Sequence, residues 1–128
     1  MRSITRIIPL LFMLVLLTGC AADPSVRAGA WEASTPYGDF TFYISDDGVA
    51  IEDVSYAIQC KGNWTDDSNF RMGDPRPLDG RKLDFGLYLT GQMPIAVWTG
   101  EFSADGKTLS GELDLFAGSC ATDFEISR

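Results

Sequence analysis

Histidine is absent from all 128 residues. Its absence removes the commonest general base near neutral pH and every Ser/His/Asp or Cys/His arrangement for nucleophilic catalysis. Cysteine is scarce, with only Cys20, Cys60 and Cys120, and their wide spacing without a histidine gives no zinc-ligand pattern. Cations are few: Lys and Arg number 10 against 18 Asp and Glu, for a net charge of −8. Nucleic acid and anionic lipid head groups are poor partners for such a chain, because binding them relies on Lys and Arg neutralising phosphate. Long hydrophobic runs are missing except for residues 7–17. As a helix that run spans about 16 Å, roughly half of a hydrocarbon core, and Pro9 interrupts it, which argues against a permanent transmembrane span.

What the N-terminus does contain is a basic start with Arg2 and Arg6, the apolar run, and then Leu17-Thr18-Gly19-Cys20. That order is the layout of an export signal. The last four residues resemble the bacterial lipobox, in which a leucine three residues before the cysteine and small residues beside it suit a dedicated signal peptidase. The resemblance implies cleavage of residues 1–19, diacylglycerol on the Cys20 thiol and a further acyl chain on its amine. Two or more chains hold a protein stably on a membrane. The chain is thus expected to be a lipoprotein of the bacterial cell envelope, and Ala21 after the cysteine points to the outer membrane where the host has two.

Cleavage leaves residues 20–128, one domain's length, and moves the net charge from −8 to −10. With Cys20 lipidated, Cys60 and Cys120 are the two remaining thiols, and in an exported protein the economical reading is a disulfide between them. Residues 20–28 are short and polar with Pro24 and read as a tether. Residues 29–128 read as one domain, with no second linker and no internal repeat.

From Gly29 the pattern has period two, broken every eight to twelve residues by turn residues, the signature of an antiparallel sandwich or meander barrel. Expected strands are 30–35, with Trp31 inward, and 40–45, with Phe40, Phe42 and Ile44 inward; Asp46-Asp47-Gly48 makes the following turn. In 49–60 the apolar residues change parity between Val49, Ile51 and Val54, Tyr56, Ile58, Cys60, so a β-bulge is expected near Glu52-Asp53. Residues 61–79 are the least regular, with at most a short strand at 70–72. Leu83, Phe85, Leu87 and Leu89 alternate cleanly. Residues 93–103 form a less regular strand, in which Ile95 and Val97 oppose Trp98 and Phe102. Ala104-Asp105-Gly106-Lys107 is a hairpin turn, followed by strands at 109–116 and 122–126. The fold class is therefore all-β, with seven to eight strands and one disulfide, and both Cys60 and Cys120 share parity with inward residues.

The order of these features resembles a loosely defined group of small two-cysteine β-modules on bacterial exported proteins. It rests on Gly29 and Trp31; Phe40, Phe42 and Ile44; Gly48; Cys60 and Gly62; Gly100, Phe102 and Ser103; Ser110 and Gly111; and Cys120. The resemblance implies the fold and the disulfide, and no activity. A fainter one links Gly29-Ala30-Trp31 and Trp98-Thr99-Gly100 to avidin barrels, without the polar set those proteins use for biotin.

No chemistry-bearing constellation stands out. The carboxylates lie at turns or alternate outward along strands, so no pair suggests two-carboxylate hydrolysis. Neither Asp46-Asp47-Gly48 nor Asp66-Asp67-Ser68-Asn69 has calcium-loop spacing. There is no glycine-rich phosphate loop, and no cofactor is expected. The expectation is a non-enzymatic binding or structural module of the envelope. Its alternative is an inhibitor or accessory subunit of a basic extracytoplasmic protein, such as a lysozyme-type hydrolase, although the Ser-Gly-x-x-Tyr loop of lysozyme inhibitors is absent. Trp64, Asp66 and Asp67, in the polar stretch, are the candidate contacts for a basic protein or small ligand.

Overall fold

The computed structural model describes residues 26–67, 71–89 and 93–128; the expected export signal, Cys20 and the first part of the expected tether lie outside these. Nine strands run β1 Gly29–Thr35, β2 Gly38–Ile44, β3 Ala50–Cys60, β4 Asn63–Asp67, β5 Arg71–Pro77, β6 Lys82–Leu89, β7 Met93–Phe102, β8 Thr108–Leu115 and β9 Cys120–Ser127. All pairings are antiparallel. The first sheet has the order β1-β2-β3-β4, with β5 also on β3, and the second has β6-β7-β8-β9. Because β4 and β5 pair with successive stretches of β3, they share one strand position. Each sheet is thus a meander of four positions. The structure is all-β as expected, and it resolves the choice of closure: no ladder joins the two sheets among the described residues, so they form a sandwich.

Three departures from the sequence reading have local causes. Residues 63–67 and 71–77 are strands, not irregular chain. Their polar sequence lacks alternation because each lies on an edge and is held by its ladder with β3, and Pro75 and Pro77 are tolerated on such an edge. Val26 is buried in the core, the Arg27 amide donates to the Gly106 carbonyl at 3.2 Å, and the Trp31 indole donates to the Arg27 carbonyl at 2.8 Å. The folded domain therefore begins before Gly29 and takes in the end of the expected tether. Val49, counted inward by parity, is exposed in the turn before β3.

The expected bulge is present. Tyr43 pairs with Asp53 and Ile44 with Ile51, so Glu52 is the additional residue, and both Ile51 and Val54 reach the core. A second bulge explains the mixed parity of β7: Leu87 pairs with Ala96 and Tyr88 with Pro94, leaving Ile95 over. Ile95 and Ala96 are consequently both buried, and Val97 stays outside the core.

The sheets meet through aromatic side chains. Phe40 and Phe42 of β2 stand edge-on to Trp98 of β7 at centroid distances of 5.6 and 5.4 Å, and Phe85 of β6 lies 5.7 Å from the same indole. Such pairs add about 0.5–1.5 kcal/mol each beyond area burial. The Trp98 indole N–H is buried without a hydrogen-bond partner among the described residues. That desolvation costs about 1–3 kcal/mol, against which the indole gains close ring contacts on several sides.

Gly111 makes this interlock fit. It lies opposite Phe124, whose ring crosses the gap to 5.0 Å from Phe40. A β-carbon at Gly111 would come within 2.9 Å of the Phe124 ring and collide with the Thr99 carbonyl oxygen.

The two sheets also share a device that the sequence reading missed. Ser45 Oγ donates to Asp47 Oδ1 at 2.6 Å and accepts from the Ala50 amide, while the Gly48 amide donates to the Ser45 carbonyl. Ser103, Asp105, Thr108 and Gly106 make the same four-part set. A Ser-x-Asp-Gly turn therefore joins the second and third strands of each meander.

Cys60 and Cys120 are buried and bonded, with Cα atoms 6.1 Å apart. The bond ties the end of β3 in one sheet to the start of β9 in the other. Replacing both cysteines with serine should lower unfolding stability by about 2–4 kcal/mol, read as a lower urea midpoint. Gly111→Ala should cost about 1–3 kcal/mol by overpacking, and an unchanged midpoint would show that Phe124 moves aside freely.

Candidate functional site

The corners of the sandwich are closed by arginines. The Arg128 guanidinium lies 5.7 Å from the Trp31 ring where β1 passes β9, and its Nη1 donates to the Ala28 carbonyl at 2.5 Å. Arg76 of β5 lies 5.2 Å over the Phe85 ring of β6. Each cation covers the rim of a core aromatic ring, a contact of about 0.5–1 kcal/mol at an exposed site.

Among the described residues the interior is occupied by aromatic side chains. Trp31, Phe40, Phe42, Phe85, Trp98 and Phe102 are all essentially inaccessible and belong to one continuous core. Depressions among the described residues lie at the surface. One of about 390 Å³ is lined by Ala30, Glu32, Ile126, Ser127 and Arg128. Another of about 410 Å³, lined by Glu32, Ala33, Ser34, Asp39, Phe40 and Thr41, opens on the outer side of the first sheet. Glu32 and Asp39 are the carboxylates there, and Asp39 already accepts from the Ser34 hydroxyl at 2.6 Å.

The carboxylates with altered acidity belong to the turns. Asp47 is held below the ordinary carboxylate range first by the Ser45 hydroxyl and then by the Val49 amide; Asp105 is held down first by the Ser103 hydroxyl and then by the Lys107 amide. Both side chains therefore act as hairpin acceptors. Among the described residues no group of three or more Asp, Glu or Cys side chains converges to hold a metal ion.

Of the residues nominated from sequence, Cys60 and Cys120 are joined, and Cys20 lies outside the described residues. Trp64, Asp66 and Asp67 belong to β4, with backbone partners Gln59, Ala57 and Tyr56. They stand on a sheet edge instead of in an irregular loop.

The larger feature is the outer side of the second sheet. The register sets Asp84, Thr99, Glu112 and Asp123 in one row across its four strands, and Lys82, Glu101, Ser110 and Glu125 in the next. Arg81 pairs with Glu101 at 3.6 Å. Asp84, Glu112, Asp123 and Glu125 meet no cation among the described residues. The signal was present in the sequence as carboxylates two apart in Glu112-x-Asp114 and Asp123-x-Glu125, but only the register puts the strands side by side. Comparison of the chain with protein-family models, curated proteins and solved structures finds no match.

The lowered acidity of Asp47 and Asp105 sets a pH dependence. A carboxylate whose folded pKa lies below its unfolded value stabilises the fold above the unfolded pKa and loses that contribution as the pH falls through the folded one. Stability should therefore fall between about pH 5 and pH 2. In the Asp47→Asn, Asp105→Asn double variant the fall should be shallower, as measured by urea midpoints across that range. Parallel curves for the two proteins would remove the turns from the acid response.

Proposed function

We propose that the chain is a membrane-anchored envelope lipoprotein, held by acyl chains on Cys20, whose β-domain works by surface recognition or support and not by catalysis. The observation that carries this reading is Leu17-Thr18-Gly19-Cys20 at the close of a short apolar run behind Arg2 and Arg6. The buried Cys60–Cys120 disulfide supports an oxidising compartment outside the cytoplasm. The aromatic interior supports recognition by the outside of the domain over carriage of a small ligand within it. On this reading the six peptide links between Cys20 and Val26 extend at most about 22 Å, so the end of the sandwich bearing Val26 and the Asp105 turn stays close to the bilayer. Ala21 after the cysteine supports the outer membrane as destination where the host has two.

A second reading, an inhibitor or accessory subunit of a basic extracytoplasmic protein, is favoured by the carboxylate rows on the second sheet. Cys20→Ser should abolish incorporation of labelled palmitate and leave an unprocessed precursor. Continued labelling and processing of that variant would exclude Cys20 as the anchor.

A further inference from the structure

Tyr88 and Met93 are the most exposed large apolar side chains among the described residues, at 58% and 61%. Tyr88 pairs with Pro94 on the outer side of the sheet, whereas Met93 pairs with Leu89 and belongs by register to the opposite side. The ring of Tyr88 lies over Gly86, where a β-carbon would come within 2.6 Å of it, and Gly86 pairs with the half-buried Val97. The outer side of β6 and β7 thus carries a small apolar patch of Tyr88, Pro94 and Val97. The carboxylate rows begin beside it, since Val97 pairs with Asp114 and the next row holds Asp84, Glu112 and Asp123.

Folding gains little from this arrangement. Glu112 and Asp123 are directly opposed across β8 and β9, and like charges so placed are destabilising. The outer side of the first sheet is arranged differently: Asp39 accepts from Ser34 and Asp53 from the Val54 amide. Charge complementarity therefore identifies what would cover the second sheet, namely a surface that brings cations to the carboxylate rows and an apolar group to Tyr88. The position is open to a partner. β7 runs from Met93 to Phe102, and the chain from the tether joins the turn beyond Phe102 at Gly106, so the patch lies about 30 Å from the tethered end.

We propose that the outer side of the second sheet docks a cationic protein segment with an amphipathic face, its apolar residues on Tyr88, Pro94 and Val97 and its Lys and Arg on Asp84, Glu112 and Asp123. This rests on the reading of the domain as a recognition module. Four strands of about eight residues present roughly 500 Å² of sheet, the size of a transient interface, with charge setting the encounter rate.

The test uses the full chain in zwitterionic nanodiscs and three synthetic peptides: a Lys/Leu amphipathic helix, its Glu/Leu counterpart, and a Lys/Ser peptide of equal positive charge. The Lys/Leu peptide should bind, with amide NMR shifts concentrated on β6 to β9, and the other two should bind at least about tenfold more weakly. Tyr88→Ser should weaken binding by about tenfold. Glu112→Gln with Asp123→Asn should weaken it and flatten its dependence on salt. Glu32→Gln with Asp46→Asn, which removes equal charge elsewhere, should stay within about twofold. The proposal is overturned if the Lys/Leu peptide does not bind, if the shifts map outside the second sheet, if the Lys/Ser peptide binds equally well, or if the two charge variants behave alike. Lipidation is read separately from the mass of the same sample, so loss of the anchor and loss of docking are distinguishable.

Discussion

Phe40 and Phe42 project from one sheet into a space bounded by Phe85 and Trp98 of the other, and no backbone ladder joins the sheets among the described strands. Backbone hydrogen bonds complete each meander separately. The meanders are related by ring edges against ring faces, the Phe124 ring over Gly111, the Arg27 amide on the Gly106 carbonyl, and one covalent bond between Cys60 and Cys120. The tolerance for a buried indole N–H without a partner among the described residues follows from the same constraint. Turning Trp98 to satisfy its nitrogen would forfeit contacts that hold the two halves in register. The arginines over Phe85 and Trp31 close the seams that this mode of assembly leaves at the rim.

Much of the architecture was legible in the alternation of apolar residues, and where it was not, the cause was physical. The Glu52 bulge could be read because Ile51 and Val54 are both large and only an additional residue puts both inside. The Ile95 bulge could not, because Ile95, Val97 and Trp98 compete for the same side and the choice is made by the fit of Ala96 against Leu115 and Leu87. β4 and β5 escaped notice because an edge strand draws its order from a neighbour's unpaired backbone and its own sequence need not alternate. Val26 was assigned to the tether because a lone valine in a polar stretch carries no period, and its burial depends on the turn at Gly106.

The candidate surface was legible in pieces only. Each strand of the second sheet shows its outward carboxylates, yet their alignment into rows depends on register, which the Ser-x-Asp-Gly turn sets for β7 and β8. Attention to the polar stretch around Trp64 followed the rule that recognition favours irregular loops. In this domain much of that stretch is sheet, and in the two Ser-x-Asp-Gly turns the serine and aspartate side chains are already bonded within the turn.

Every ladder in the molecule joins strands that are close in sequence, each to a neighbour or, for β5, to the strand before its neighbour. The halves on either side of residue 80 can accordingly organise on their own, each from a hairpin with the same self-contained turn, before either meets the other. Ring docking, the Cys60–Cys120 bond and the contacts of Arg27 with Gly106 and of Arg128 with Ala28 require a search over long stretches of chain, and loop closure makes such contacts the slow ones. A chain synthesised N-terminus first thus completes its first sheet with Cys60 unpaired and Phe40 and Phe42 bare. It must wait in that state until Cys120 arrives, within nine residues of the end of the sequence.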